Sequence, residues 1–287
     1  MCSNFITPRF LPSIHANFPS LLEYEIAAYL IDNTTTSNAT GKAYFTPALT
    51  ASNAVYAIWI GTNDLGVNAF LTDSQVAGKT LTDFTDCVFM ALDSLYASGA
   101  RYFVINNIAP LYLAPLYAND TDMGLGINRY WKDKPANHTA IAELMKEYST
   151  TVNDVWKYQV PYESLVANRY PGANFALYDV YSLVSLLYLE PLLCAPSKLY
   201  IAPDCLTCAK ILDIYTHPTM YLNGSAPANV TGFSHQCNIN GTMCMDDPSP
   251  DSFLWYDPLH PSEQTDRIIA REFVGVLSGM SNYATYY

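Results

Sequence analysis

Ala54-Val-Tyr-Ala-Ile-Trp-Ile60 is a continuous apolar run that stops at Gly61. Such a run, closed by a turn residue, reads as a strand buried on both faces of a parallel sheet, with Trp59 in the core. Outward from it, Leu81, Phe84, Val88, Leu92 and Leu95 recur at three- and four-residue spacing, one face of an amphipathic helix. Gly99 is placed to end that helix. Arg101 to Asn106 then reads as a second buried strand. Strand, helix and strand joined by short turns make a βαβ unit, which implies a right-handed parallel crossover. Ala140 to Val160 reads as a helix with Ile141, Leu144, Tyr148 and Val152 on one side. Phe175 to Val180 is a third strand, followed by an apolar helix around Tyr181–Leu189. Pro261 suits the first turn of a last helix whose inner face carries Ile268, Ile269, Phe273 and Leu277. The fold class is α/β with a parallel sheet.

Composition agrees with a packed domain. The chain has 287 residues, half of them apolar, a length that one α/β domain reaches. Only 14% of residues are charged, against about 25% in an average globular protein, which argues against disorder. The net charge of −12 repels phosphate backbones, so nucleic acid is not an expected partner. No apolar run reaches the ~18 residues of a membrane span.

Seven cysteines stand at positions 2, 87, 194, 205, 208, 237 and 244. Seven Asn-x-Ser/Thr acceptors stand at Asn33, Asn38, Asn119, Asn137, Asn223, Asn229 and Asn240. Together they favour an oxidising, secreted setting. Met1-Cys2-Ser3-Asn4 is not a basic leader and no apolar stretch follows it, so this chain carries no signal peptide. Residues 194–250 hold five of the cysteines and read as a disulfide-stapled excursion from the core of a single 1–287 domain. Within it, Cys205-x-x-Cys208 with Cys194, Cys237, Cys244, His217 and His235 raises a zinc module. The spacing of the second cysteine pair fits that poorly, and disulfides are the expected use.

Two short patterns carry chemistry. Gly61-Thr62-Asn63-Asp64 directly follows the first strand, at the carboxyl end where ligands of α/β sheets collect. Gly61 allows a sharp turn, and the Asn63 amide can donate to a developing oxyanion. Losing one such donor costs about 2.7–4 kcal/mol of transition-state stabilisation. Asp257-Pro258-Leu259-His260-Pro261 precedes the last helix. A carboxylate three residues before an imidazole can hold Nδ1–H and stabilise the imidazolium, leaving Nε2 to act as base. By composition Asp-x-x-His-Pro is expected roughly 0.02 times in such a chain. Trp255, two residues before Asp257, is a candidate substrate contact; Tyr130 and Trp131 are further aromatics in loop-like sequence that can meet sugar rings. Asp64 reads as a turn carboxylate, and His15, His138, His217 and His235 have no spacing that points to catalysis.

In combination these patterns resemble the GDSL/SGNH family of esterases, in particular a secreted fungal branch of carbohydrate acetyl esterases. Tyr56–Leu65, Ala100–Val104 with Asn107–Pro110, and Asp257–Pro261 carry the resemblance, and Cys2–Asn4 looks like the tail of the family's second block. It implies a three-layer α/β/α flavodoxin-like fold and Ser-His-Asp ester hydrolysis without a cofactor or metal. The substrate would be an acylated carbohydrate or another small ester. Asn63 would be the oxyanion donor, His260 the general base and acid, and Asp257 its orienter.

The family's Gly-Asp-Ser nucleophile block has no counterpart in the 287 residues, and the earliest glycine is Gly41. Ser3 follows no strand and is not assigned as nucleophile. The expectation is a chain incomplete at its N-terminus, lacking the first two strands of the family's sheet. The Ala54–Ile60 strand would then be an exposed hydrophobic edge, and the polypeptide inactive alone. The alternative is a non-catalytic extracellular carbohydrate-binding protein on an esterase scaffold.

Overall fold

The computed structural model describes residues 1–11, 15–193 and 222–287. Cys194, Cys205, Cys208 and His217 lie outside the described residues, and with them the first half of the cysteine-rich stretch. The chain divides into two compact units. Met1–Ile108, Glu147–Tyr178 and Ala284–Tyr287 form one; Ala109–Lys146 and Asp179–Tyr283 form the other.

The first unit is built on a sheet. Its strands β1 (Tyr56–Ile58), β2 (Tyr102–Asn106) and β3 (Asn174–Tyr178) run parallel, with Tyr56 opposite Phe103 and Val104 opposite Ala176. Ala284–Tyr286 adds an antiparallel strand outside β3. Phe103, Val104 and Ile105 are buried, and the Phe103 ring stacks on Phe175 at 4.9 Å. Between β1 and β2 come the single turn α1 (Thr62–Leu65) and the helix α2 (Leu81–Ala97). Thr80 and Asp83 close a capping box at the start of α2, and Gly99, at φ +105°, takes the chain out of it. Phe84, Val88, Leu92 and Leu95 are buried as the periodicity requires. Helix α3 (His138–Pro161) belongs to this unit from Glu147 on; Trp156 on it packs against Phe84 at 5.8 Å. A disulfide between Cys2 and Cys87 ties the start of the chain to α2.

One strand departs from its sequence reading. β1 is only three residues long and, among the described residues, pairs with β2 alone, at the sheet edge expected for it; its faces are less buried than the run suggests. Ile58 is buried, but Ala57 is exposed, and Val55 and Trp59 keep 45% and 43% of their surface in solvent. Trp59 is therefore not a core residue. A continuous apolar run looks the same whether one side of the strand or both are paired. Tyr29 packs edge-on against Tyr56 of β1 with ring centres 5.6 Å apart, and their hydroxyls meet at 2.7 Å.

In the second unit, the described elements include α4 (Val180–Leu193) and β4 (Asn229–Phe233), which pairs in parallel with Phe253–Trp255. β5 (His235–Cys237) and β6 (Cys244–Asp246) form an antiparallel hairpin closed by a Cys237–Cys244 disulfide. We call Phe253–Trp255 β7, and α5 spans Glu263–Leu277. Two details of α5 correct the sequence reading. Ser262 is the N-cap, its hydroxyl accepting the Thr265 N–H, so Pro261 lies just outside the helix. Ile268, Ile269 and Val276 are buried, whereas Leu277 is 48% exposed. No helix among the described residues is long and apolar enough to cross a membrane.

Candidate functional site

The corner from Tyr256 to Ser262 is fixed by its own backbone. Tyr256 N–H donates to the carbonyl of His260, and Ser262 N–H to that of Leu254. Pro258 supplies a carbonyl to Leu116 N–H at 2.7 Å. Lys134 braces the neighbouring loop, donating its buried ammonium to the carbonyls of Leu116 and Leu125. Burial draws that ammonium down to about 8.

Inside this corner Asp257 faces His260. The imidazole Nδ1 lies 2.9 and 3.0 Å from the two carboxylate oxygens. An ionised carboxylate only accepts, so Nδ1 carries the proton and Nε2 holds the lone pair. The same carboxylate accepts the backbone N–H groups of Leu259 (2.9 Å) and His260 (2.8 Å). Its side chain is only 3% exposed, against 58% for His260, which leaves the imidazole open to a partner in solution. Burial pushes the Asp257 carboxyl up. Hydrogen bonds from His260, from Tyr130 and from the two N–H groups outweigh it and hold the carboxyl well below the usual range. The bond to Asp257 raises His260 in turn, against the opposing effect of burial.

Two residues outside both sequence patterns complete the pair. Tyr130 donates its hydroxyl to Asp257 Oδ2 at 2.5 Å, and Arg129 donates Nη2 to the same oxygen at 2.9 Å. The sequence marks Tyr130 as a loop aromatic that can meet a sugar ring; in the structure its hydroxyl is spent on Asp257. Asp266, in the first turn of α5, is pushed up to about 6 by burial.

The Gly61–Asp64 pattern belongs to the first unit. Gly61 stands at φ +125° before α1. A Cβ there would meet Ile108 Cδ1 at 2.4 Å, so both the conformation and the space demand glycine. Asn63 lies half-buried within α1. Asp64 is more than a turn residue: it is fully buried and accepts the Cys2 N–H at 3.0 Å and the Thr7 hydroxyl at 3.0 Å. Burial raises its carboxyl despite those donors. Ser3 is buried, and its hydroxyl donates to Glu23 at 2.5 Å.

The chain is 39% identical to an acetylesterase of Hypocrea jecorina over 288 residues, which span the whole of this chain and 72% of that protein. The chain belongs to the GDSL/SGNH acetylesterase family. Its members hydrolyse ester bonds, and so this chain is of the hydrolase class. A GDSL esterase/lipase of Arabidopsis thaliana is 24% identical over 241 residues, 80% of this chain and 54% of the relative. No protein-family model matches the chain.

Other candidates find different places. Trp255 is 2% exposed in β7, its indole N–H held by the Val230 carbonyl at 3.0 Å, so its ring is packing and not a surface for substrate. Trp131 is likewise buried. His235 is committed to Asp246 at 2.6 Å and stacks on Tyr256 at 4.8 Å. Its neighbours Cys237 and Cys244 would make a metal-like trio, but their sulfurs are bonded to each other and offer no thiolate. Among the glycosylation acceptors Asn38, Asn137, Asn223 and Asn240 are exposed, while Asn33, Asn119 and Asn229 are half-buried.

Proposed function

We propose that the chain carries the base side of a serine-esterase mechanism acting on small acyl groups, acetyl in particular, borne by carbohydrates. The observation that carries this reading is the Asp257–His260 pair, with Nδ1 held at 2.9 Å and the carboxylate locked by two backbone N–H groups. In this role His260 Nε2 takes the proton of a nucleophilic hydroxyl as its oxygen adds to the ester carbonyl carbon. Asp257 stabilises the imidazolium that forms. The proton passes to the departing alkoxide, and water repeats the sequence on the acyl-enzyme. The family resemblance assigns the oxyanion-donor role to Asn63, with Gly61 shaping the turn that carries it. The acetyl group is proposed from the Hypocrea jecorina relative's name and the carbohydrate from the family resemblance. The seven Asn-x-Ser/Thr acceptors and the two disulfides among the described residues support an extracellular setting.

The 287 residues contain no Gly-Asp-Ser, and Ser3 is engaged by Glu23, so the reading assigns no nucleophile in this polypeptide. Purified 1–287 is expected to release no p-nitrophenol from p-nitrophenyl acetate beyond a His260→Ala control. Hydrolysis that His260→Ala abolishes would overturn the missing nucleophile and keep the pair. Hydrolysis indifferent to that substitution would overturn the role of His260. The absent nucleophile block also favours a second reading, a carbohydrate-binding protein without turnover. Calorimetric binding of an acetylated oligosaccharide that stays intact would support it, and deacetylation during the titration would exclude it.

A further inference from the structure

Five donors compete for one carboxylate. Asp257 accepts Leu259 N–H, His260 N–H, His260 Nδ1–H, Tyr130 O–H and Arg129 Nη2–H. A carboxylate offers about four lone-pair sites, so each donor weakens the hold of the others. The backbone donors sit on Oδ1, and the two side-chain donors both sit on Oδ2. The imidazole shares what remains.

We propose that Arg129 and Tyr130 are positioning residues that draw charge away from Asp257 and so hold His260 at a moderate basicity. The proposal rests on His260 acting as a general base, and it concerns residues found in neither sequence motif. A buried carboxylate left to an imidazole alone drives the imidazole strongly basic, and an imidazole kept protonated is no base. Two competing donors reduce that pull, and the guanidinium charge adds direct repulsion against the imidazolium.

The clamp is fixed in place. Arg129 donates Nη2 to Tyr130 Oη as well as to Asp257, and Nη1 to Cys237 Sγ at 3.2 Å on the disulfide hairpin. Its guanidinium lies 4.6 Å from the centre of the Tyr130 ring. That ring meets His260 edge to face at 6.0 Å, which limits imidazole rotation. Burial, then the bond to Asp257, pushes the Tyr130 phenol up to about 12, so it remains a donor throughout the working range. Among the described residues of this unit, the charged or titratable groups facing His260 are Asp257 from its own corner, Arg129 and Tyr130 from one loop, and Asp266 from α5. Asp266 acts in the opposite sense, raising His260.

The experiment is an NMR titration of the His260 Cε1–H in purified 1–287, assigned by the signal lost in His260→Gln. Tyr130→Phe and Arg129→Met are each expected to raise the His260 midpoint by about half a pH unit or more. Asp266→Asn, as a control on sign, is expected to lower it. A midpoint unchanged or lowered in either clamp variant overturns the proposal. Tyr130→Phe keeps the ring and its packing, and near-ultraviolet circular dichroism checks that the variant is folded. The titration needs no turnover. A clamp that fails here and a base role that fails in the ester assay are therefore separate results.

Discussion

Asp257 is where the chemistry of the second unit meets its stability. Its carboxyl lies below the ordinary range when folded, so the stability it contributes is present above the unfolded value of about 3.9 and is lost as the pH falls through the folded one. His260 works the other way. Its folded value is raised, so its contribution is present below about 6.5 and disappears as the pH climbs through the folded value. Asp257→Asn removes the acid-side dependence and breaks a buried network. We expect the variant to be less stable than wild type by on the order of 2 kcal/mol at pH 6. The gap should narrow as the pH approaches 2, read from thermal melts at each pH. A gap independent of pH would show that ionised Asp257 contributes nothing. The Asp257–His260 pair was legible in the sequence because its constraint is local, three residues apart in a proline-flanked turn. Arg129 and Tyr130 were not, since nothing in spacing links positions 127 and 128 residues away. Trp255 was misplaced because proximity to a motif says nothing of which way an indole faces.

At the level of elements, the turn from β1 into α1 is the most constrained point of the first unit. Gly61→Ala introduces a Cβ 2.4 Å from Ile108 Cδ1 and 3.0 Å from Phe84 Cζ, on a backbone at φ +125°. A cost of about 2–4 kcal/mol is expected from strain and overpacking combined, measured by urea denaturation. A loss below ~1 kcal/mol would mean that the turn relaxes freely. The helices and the parallel pairs were readable because their signals are periodic: α2 buries Phe84, Val88, Leu92 and Leu95 as its spacing marks. On α3, by contrast, Ile141 and Val152 are buried but Leu144 and Tyr148 are half-buried, Met145 and Trp156 filling the inner side. The antiparallel strand at Ala284–Tyr286 was not, being three residues long and supported only by its neighbour β3. The start of α5 was misjudged by two residues because both Pro261 and Ser262 suit a helix entrance, and the serine hydroxyl decides it.

For the molecule as a whole, the sheet of the first unit ends in an open seam. The outer N–H and C=O groups of β1 meet no strand among the described residues, and Val55 and Trp59 stand exposed beside them. Edges of this kind template pairing with other chains, and a lysine on the strand is a natural guard against it. Trp59→Lys is expected to lower light scattering of concentrated protein several-fold without lowering the melting temperature; unchanged scattering would clear β1 of that role. The net charge of −12 works against such pairing only while it is felt at a distance. At ~0.15 M salt the field fades within about 8 Å. Copies of this chain should therefore keep apart in dilute buffer and cling together as ions are added, through hydrogen bonds that no like charge can then hold off.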